Sequence, residues 1–389
     1  MTKLIPYGRQ DINEADIQAV IDVLKSDFLT QGPAVPAFEV AVRDFVGAKH
    51  AIATSNATSA LHLACLALGV GPGDIVWTSP ITFVASANCA VYCGAKVDFV
   101  DVDLDSFNMS EQALRCKLEH ARKARLLPKV LIPVHMGGQS CNMAAFYDLS
   151  KEYGFSIIED ASHAIGGRYQ NQQVGSCQFS SITVFSFHPV KIITTGEGGM
   201  AITNDLGLAK KMQLLRSHGI TREQSEMVSI PDGPWFYEQI DLGFNYRMTD
   251  IQAALGLSQM SRLHDFVIKR NSIAHRYEKL LKDVPVFLPK IAKDTYSAYH
   301  LYVIQLNLEL ISSSHKNVFN ELRNAGIGVN LHYIPVYLQP YYQNLGFSKG
   351  YCPNAEKYYS RAISLPMFSS LTDEEQDWVV TQLIKAIQK

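Results

Sequence analysis

Two stretches of sequence decide the fold, SIIEDASHAIGG (156–167) and ITVFSFHPVKIITTGEGG (182–199). Each begins with a run of mostly β-branched and apolar residues, which predicts a buried strand. The first run ends at Asp160, and the second ends four residues before Lys191. Open parallel sheets bind their ligands at the carboxyl ends of the strands, so these polar residues are candidates for a functional site.

Further strands are predicted on both sides of these two stretches. Helical patterns separate them, as in TSALHLACLALGV (58–70) and AAFYDLSKEYG (144–154). The predicted strand segments lie at 51–54, 74–79, 96–103, 129–138, 156–160, 182–187 and 199–204. Strands that alternate with helices in this way predict an α/β fold whose mostly parallel sheet is covered by helices on both faces.

The pattern changes near residue 250. Residues 250–283 predict one long amphipathic helix, and the elements that follow are a strand, a helix closed by Gly326 and a final helix through 373–388. This mixture indicates a small α+β domain at the C-terminal end. We therefore predict a large domain over 1–255, with the N-terminal segment included, and a small domain over 256–389.

Composition excludes several classes of protein. A formal net charge of -2 over 389 residues gives no basic surface for nucleic acid. No apolar run approaches the roughly 18 residues of a membrane span, and the polar N-terminus does not resemble a signal peptide. The seven cysteines are scattered without CxxC spacing, which favours reduced thiols in a cytoplasmic protein without a zinc site.

Lys191 is the first candidate for chemistry. Most lysines are solvated surface charges, but the residues after this one, IITTG (192–196), are apolar for a surface loop. A desolvated lysine has a lowered pKa and becomes an amine able to form a Schiff base. Asp160 at the end of a neighbouring strand is suited to pair with the nitrogen of a pyridine ring.

The segment AIATSNATSALHLA (51–64) is a candidate phosphate site. Its strand turns through Ser55 to Thr58 into a helix, whose N-terminus offers free N–H groups and the positive end of the helix dipole. Ser, Thr and Asn are also ordinary N-cap residues, and for this segment taken alone N-capping is the better explanation. The same position carries no GxGxxG, which excludes a nicotinamide dehydrogenase.

An ordered set of motifs resembles one family over nearly the whole chain, from LTQGP near residue 30 to SLPM at 364–367. The sequence is similar to the DegT/DnrJ/EryC1/StrS family of sugar aminotransferases. The motifs are SNATSALHLA, SPITFVASAN, EDASHAIGG, FSFHPVKIITTGEGG, RSHG, GFNYRMTDIQAALGLSQM and GVNLHYIPVY. The resemblance implies the aspartate-aminotransferase fold (fold type I) with pyridoxal 5'-phosphate as cofactor. It also implies a homodimer with active sites at the subunit interface.

The resemblance also implies roles for single residues. Lys191 corresponds to the lysine that binds the cofactor, and its presence instead of histidine supports transamination over dehydration. Asp160 corresponds to the partner of the ring nitrogen. The other positions are Ala57, Thr58 and Ser186 at the phosphate, Asn245 reaching the phosphate of the other subunit, and Phe83 and His163 on the two ring faces. Phe83 as a core residue and His163 as a structural histidine are the alternatives.

The substrates are implied by the resemblance as well. They are L-glutamate as amino donor and a nucleotide-linked 4-keto-6-deoxy sugar as acceptor. Within the family the sequence looks most like the transaminases of pseudaminic acid biosynthesis, which feeds flagellin glycosylation. Their acceptor is UDP-2-acetamido-2,6-dideoxy-β-L-arabino-hex-4-ulose, and a D-configured UDP-4-keto sugar of the bacillosamine or aminoarabinose type is the alternative.

Five residues are candidates for substrate contact: Tyr7, Arg216, His332, Tyr333 and Tyr337. Arg216 is suited to clamp an anion or to form a surface ion pair. The aromatic residues serve equally well as interface or core side chains. A pyridoxal-phosphate-binding regulator is the non-enzymatic alternative, but it would need a DNA-binding module for which the chain has no spare domain.

Overall fold

The computed structural model describes residues 4–388, and the elements of this range are numbered here in chain order. The strands are β1 (Ile5–Pro6), β2 (His50–Thr54), β3 (Ile75–Thr78), β4 (Lys96–Phe99), β5 (Val130–Ile132), β6 (Ser156–Asp160), β7 (Arg168–Tyr169), β8 (Gln172–Gln173), β9 (Ile182–Ser186), β10 (Gly199–Thr203), β11 (Ile220–Thr221), β12 (Glu238–Gln239), β13 (Val286–Phe287), β14 (Thr295–Tyr296), β15 (Tyr302–Leu306), β16 (Ile327–Gly328) and β17 (Ala362–Leu365).

The helices complete the description of the elements. They are α1 (Glu14–Leu24), α2 (Ala34–Val46), α3 (Ala57–Ala67), α4 (Ala85–Tyr92), α5 (Glu111–Ala124), α6 (Met143–Tyr153), α7 (Leu206–Arg216), α8 (Asp250–Met260), α9 (Leu263–Leu280), α10 (His315–Asn324), α11 (Pro340–Gln343), α12 (Pro353–Tyr359) and α13 (Asp373–Gln388). Residues 1–3 and 389, which the predicted division counts in its two domains, lie outside the described residues.

A seven-stranded sheet forms the centre of the large part of the molecule. Its strand order is β2-β10-β9-β6-β5-β3-β4. All neighbouring pairs between β9 and β4 are parallel, and β10 alone runs antiparallel to both of its neighbours. The predicted α/β fold with a mostly parallel sheet is therefore confirmed.

Alternation along the strands explains how both faces of the sheet are covered. In β5, Val130 and Ile132 pack into a cluster with α3, α4 and α7, whereas Leu131 between them packs with α5 and α6. All three side chains are fully buried. Successive residues of a strand point to opposite faces, so a short run of apolar residues satisfies both helical layers.

The long helix predicted over 250–283 is instead two helices, α8 and α9. The break lies at Ser261 and Arg262. The Arg262 side chain donates hydrogen bonds to Asp11 and Asp16, which lie at the start of the chain. The helical spacing of apolar residues continues through Ser261 and Arg262, so it gives no sign of a break. The prediction was wrong because the ion pairs that hold this turn join residues about 250 positions apart in sequence.

A smaller α+β unit follows the sheet. Strands β13, β15 and β17 form an antiparallel sheet, and α9, α10 and α13 share one apolar cluster with it. Strand β1 pairs in parallel with β16, so the start of the chain lies against this unit. The division at residue 255 stays a prediction. Among the described helices, none combines the length and the apolar character that crossing a membrane requires.

Candidate active site

One cavity of about 910 Å³ opens at the carboxyl ends of β2, β6 and β9. This is the position at which parallel sheets bind ligands. The walls contain most of the residues predicted from the sequence. They are Tyr7, Ala57, Thr58, Phe83, Asp160, His163, Ser186, Lys191, His332 and Tyr333.

Lys191 lies in the turn after β9, where its backbone N–H donates to the carbonyl of His188 at 2.9 Å. Within residues 4–388 its amine makes no hydrogen bond or ion pair. Burial lowers the pKa of Lys191 to about 8, and the charge of Asp160 opposes part of this shift. About a tenth of the amine is therefore uncharged at pH 7, far more than for an ordinary lysine, and this fraction is available as a nucleophile.

Asp160 ends β6 and is 5% exposed. Ser86 Oγ donates to Oδ2 at 2.6 Å, while the Ser162 hydroxyl and backbone N–H donate to Oδ1 at 2.6 and 3.1 Å. Hydrogen bonds from donors favour the ionised form of a carboxyl group. Asp160 is thus prepared as a buried anion facing the cavity.

The N-terminus of α3 forms another part of the wall. Asn56 caps this helix, since its side chain accepts from the N–H of Ser59 at 2.8 Å and its carbonyl from the N–H of Ala60 at 3.2 Å. The N–H groups of Ala57 and Thr58 have no partner within residues 4–388. Two free donors at the positive end of a helix make an anion site.

Gly199 allows this helix start to lie against the sheet. A Cβ at position 199 would lie 2.5 Å from the nitrogen of Ala57 and from the carbonyl of Asn56. Gly199 pairs with Ser186 of β9, whose side chain is buried and also lines the cavity. The close approach of the two backbones brings the helix N-terminus and the Ser186 hydroxyl to one end of the cavity.

A pair of hydrogen bonds fixes the tautomer of His163. The N–H of Gly137 donates to His163 Nδ1 at 3.3 Å, so the ring proton lies on Nε2. Nε2 is 3.3 Å from the hydroxyl of Tyr333, which accepts that proton. Burial and the nearby Lys191 lower the pKa of His163, and burial raises the pKa of Tyr333. The Tyr333 hydroxyl keeps its own proton and is a donor toward the cavity.

Two further histidines extend this wall. His300 packs on His163 with ring centroids 4.4 Å apart, and its buried Nδ1 has no partner within the described residues. His332 Nδ1 lies 2.8 Å from the hydroxyl of Ser364, and its ring lies 5.2 Å from that of Tyr7. Burial and the charge of Lys191 lower the pKa of both histidines. The histidine side of the wall around Lys191 is consequently neutral.

Two predicted substrate residues do not reach the cavity. The guanidinium of Arg216 is held away from it by Glu39 at 2.6 Å and the carbonyl of Ala53 at 2.7 Å. Tyr337 is fully buried in the core, and its hydroxyl donates to Glu356 at 2.7 Å. The structure thus places Arg216 in an internal ion pair and Tyr337 among core aromatics, and neither is kept as a substrate contact.

Asn245 also lies outside the cavity of its own chain. It is exposed, and it forms an isolated bridge with Ser217. The predicted role acts on the other subunit of a dimer, which a single chain does not test. The role of Asn245 stays a prediction.

Sequence reasoning missed several residues of the site. Ser86 contacts Asp160 from 74 positions away, and His300 lies in SAYHLYVIQL, a stretch that indicated only a strand. His62 and Tyr246 line the cavity and lie 3.2 Å apart, Nδ1 to hydroxyl. Ser86, His62 and Tyr246 lie within the motifs SPITFVASAN, SNATSALHLA and GFNYRM, but no pattern inside these motifs distinguished them from their neighbours.

The sequence and the fold of this chain are similar to those of known proteins. The model of the DegT/DnrJ/EryC1/StrS aminotransferase family matches residues 10–384. The chain belongs to this family. It is 39% identical to the spore coat polysaccharide biosynthesis protein SpsC of Bacillus subtilis, over 97% of this chain and 95% of that protein.

Two further members of the DegT/DnrJ/EryC1/StrS family are similarly related. A UDP-4-amino-4,6-dideoxy-N-acetyl-β-L-altrosamine transaminase of Campylobacter jejuni is 37% identical over 99% of this chain and 98% of that one. The structure of Helicobacter pylori PseC, an aminotransferase of pseudaminic acid biosynthesis, superposes with a TM-score of 0.88 at 34% identity, covering 99% of both chains. Aminotransferases of this family, which adopt fold type I, depend on pyridoxal phosphate.

The residues of the cavity fit this cofactor. The free N–H groups of Ala57 and Thr58 suit a phosphate, and the buried Asp160 anion suits a protonated ring nitrogen. Lys191 supplies an unpaired amine to the wall of the same cavity. The chain is an aminotransferase, and its cavity offers groups that suit the phosphate, the ring nitrogen and the carbonyl carbon of this cofactor.

Proposed function

We propose that this aminotransferase transfers the amino group of L-glutamate to C4 of UDP-2-acetamido-2,6-dideoxy-β-L-arabino-hex-4-ulose, a step of pseudaminic acid biosynthesis. The names of the Campylobacter and Helicobacter relatives support this acceptor. The observation that carries the proposal is the unpaired Lys191 amine, with its pKa lowered to about 8, in one cavity with the hydrogen-bonded Asp160.

Each residue has a part in the proposed reaction. Pyridoxal phosphate, when bound, supplies a carbonyl carbon that takes up the amine and a ring that withdraws electrons from the breaking C–H bond. Lys191 anchors the cofactor and then takes and returns the proton at the reacting carbon on its Nζ. Asp160 stays ionised and holds the proton of the ring nitrogen. Phe83 and His163 orient the ring from its two faces.

The phosphate end of the cofactor is held by the start of α3 and by β9. Ala57 and Thr58 donate their free N–H groups, and the Thr58 and Ser186 hydroxyls add donors. A helix N-terminus contributes partial positive charge without a cationic side chain. No arginine lines the cavity within the described chain, so these groups carry the anion together with Asn245 of a second copy.

We include a homodimer in the proposal. Exposed apolar side chains lie just before Asn245 in sequence, with Val228 and Ile230 both 91% exposed and Leu242 76% exposed. Apolar side chains exposed to this extent mark interaction surfaces. Covering this segment with a second copy would bring the adjoining Asn245 to the phosphate site of the partner.

The acceptor is tested by offering purified protein two epimeric UDP-4-keto sugars with L-glutamate. We expect amination at C4 of the L-arabino epimer, identified by mass spectrometry and NMR of the product. Amination of the D-configured epimer alone would replace the proposed substrate with one of the bacillosamine or aminoarabinose type. Cofactor binding without amination of either sugar would contradict a sugar aminotransferase.

A further inference from the structure

A short segment between β3 and α4 connects two parts of the site. Phe83 lies in this segment and faces the cavity, with Thr82 directly before it and Ser86 three residues after it. We propose that Ser86, itself held by Thr82, is a positioning residue that orients Asp160 and maintains its charge. This inference rests on the proposed function, which assigns the ring nitrogen of the cofactor to Asp160.

The direction of each hydrogen bond follows from the chemistry of the groups. An ionised carboxylate only accepts, so the Ser86 hydroxyl proton points to Asp160 Oδ2, 2.6 Å away. Ser86 has only this one hydroxyl proton to donate. In the 2.7 Å contact between the Thr82 and Ser86 hydroxyls, Thr82 must therefore be the donor. A directed chain therefore runs from Thr82 through Ser86 to Asp160.

Burial makes this chain more important than a surface hydrogen bond. Ser86 is fully buried, Thr82 is 2% exposed and Asp160 is 5% exposed. Water has little access to replace a missing donor, and a buried charge that loses a partner is costly. Removal of the Ser86 hydroxyl would leave Oδ2 without its side-chain donor.

The two oxygens of Asp160 are held from different parts of the chain. Ser162 occupies Oδ1 and is only two residues away, so its bonds form within one turn. Ser86 occupies Oδ2 from 74 residues away and also approaches the carbonyl of Phe83, with Oγ to O at 3.4 Å. Ser86 thus couples the carboxylate orientation to the segment that carries the Phe83 ring.

The test compares Ser86→Ala and the near-isosteric, weaker donor Ser86→Cys with wild type. The matched control is Ser79→Ala, because Ser79 is as buried as Ser86, lies in the connection that leads into α4 and does not line the cavity. We expect Ser86→Ala to retain cofactor but to lower kcat roughly tenfold, the loss typical of one hydrogen bond to a charged group. KM for both substrates should change little.

Two measurements distinguish a role of Ser86 in orienting Asp160 from a role in protein stability alone. In Ser86→Ala the absorbance of the bound cofactor and its pH dependence should change, because the carboxylate beside the ring nitrogen has lost a donor. Ser86→Cys should lie between Ser86→Ala and wild type. Agreement of Ser86→Ala with Ser79→Ala in kcat, spectrum and pH profile would overturn the proposal.

If Ser86→Ala does not fold, Ser86→Cys and Thr82→Val carry the test. Thr82→Val removes the donor to Ser86 but leaves the Ser86 hydroxyl, so a smaller change in the same direction is expected. Wild-type spectra and kcat in both variants would overturn the proposal. Full turnover by Asp160→Asn would instead remove the proposed role of Asp160, a result that is distinguishable from failure at Ser86.

Discussion

At the scale of single residues, Lys191 combines partial burial with freedom from partners. Its amine faces neutral histidines and a hydrogen-bonded carboxylate, and its pKa is lowered to about 8. Such an arrangement is costly in the absence of cofactor, because a charged amine is held where water solvates it poorly. Residues that carry perturbed pKa values for chemistry often reduce stability in this way.

The cost predicts that Lys191→Met stabilises the cofactor-free protein at neutral pH. The folded pKa of about 8 lies below the ordinary value of 10.5, so at neutral pH the burial of the charged amine costs up to about 3 kcal/mol. The folded protein loses its proton first as pH rises from about 8 to 10.5, so the advantage of the variant should shrink there. Thermal unfolding of both cofactor-free proteins near pH 7 and pH 10 measures this difference. An equal difference in Tm at both pH values would contradict the burial of a charged amine.

Tyr333 provides a second prediction at this scale. His163 donates to its hydroxyl oxygen, so the hydroxyl proton is free to reach an oxygen of the substrate in the cavity. Tyr333→Phe should lower kcat/KM for the keto sugar about tenfold and affect the half-reaction with glutamate less. Stopped-flow absorbance of each half-reaction measures the two effects separately.

Tyr337→Phe is the control for Tyr333→Phe. The Tyr337 hydroxyl donates to Glu356 in the core and does not reach the cavity. Its loss should reduce stability while leaving both half-reactions unchanged. Equal effects of the two substitutions on the sugar half-reaction would remove Tyr333 from the substrate side of the site.

At the scale of elements, the start of α3 and the start of β10 depend on each other. The backbone of Gly199 lies directly against Asn56 and Ala57, and this contact sets where the free N–H groups point. The geometry of the anion site therefore depends on the contact between the start of α3 and the start of β10. The glycine is required here for close approach and not for an unusual φ.

Gly199→Ala should consequently weaken cofactor binding. Its Cβ would force the helix start away from β10, at a cost to stability of roughly 1–3 kcal/mol. Gly71→Ala is the control, since a Cβ at that position meets no atom within 4 Å. Cofactor titration followed by absorbance compares the two variants, and equal affinities would contradict a phosphate site built on this contact.

Elements were predicted well where the pattern is local. The strands β6 and β9 and the helix α13 agree with their predicted bounds to within one residue, because buried parallel strands and amphipathic helices have distinct periods. The turn between α8 and α9 was missed, since Arg262 there meets Asp11 and Asp16 only in the folded chain. Ser86 and His300 were missed for the same reason: their roles depend on neighbours far away in sequence.

At the scale of the whole molecule, the cavity of one chain holds its own lysine and carboxylate but not Asn245. In the proposed dimer, a second copy covers the exposed apolar segment before Asn245. Each active site of the proposed dimer would then combine Lys191 of one protomer with Asn245 of the other. Isologous dimers build shared sites of this kind in pairs.

Mixing two inactive variants tests this sharing. In a dimer of Lys191→Ala with Asn245→Ala, one site carries both changes and the other carries none. When equal amounts exchange subunits at random, about half of the dimers are mixed and about a quarter of all sites are intact. The turnover of the mixture is compared with the sum for the two variants measured separately. Turnover no higher than the sum of the separate variants would place Asn245 outside the shared site.

The measurement that bears most directly on the role of Lys191 is the position at which the cofactor is attached. Borohydride reduction of the purified protein with bound pyridoxal phosphate fixes the cofactor to the amine that holds it, and peptide mass spectrometry locates that amine. We predict the label on Lys191 alone, with no label in Lys191→Ala. A label on another lysine, or equal labelling in Lys191→Ala, would contradict the proposed mechanism.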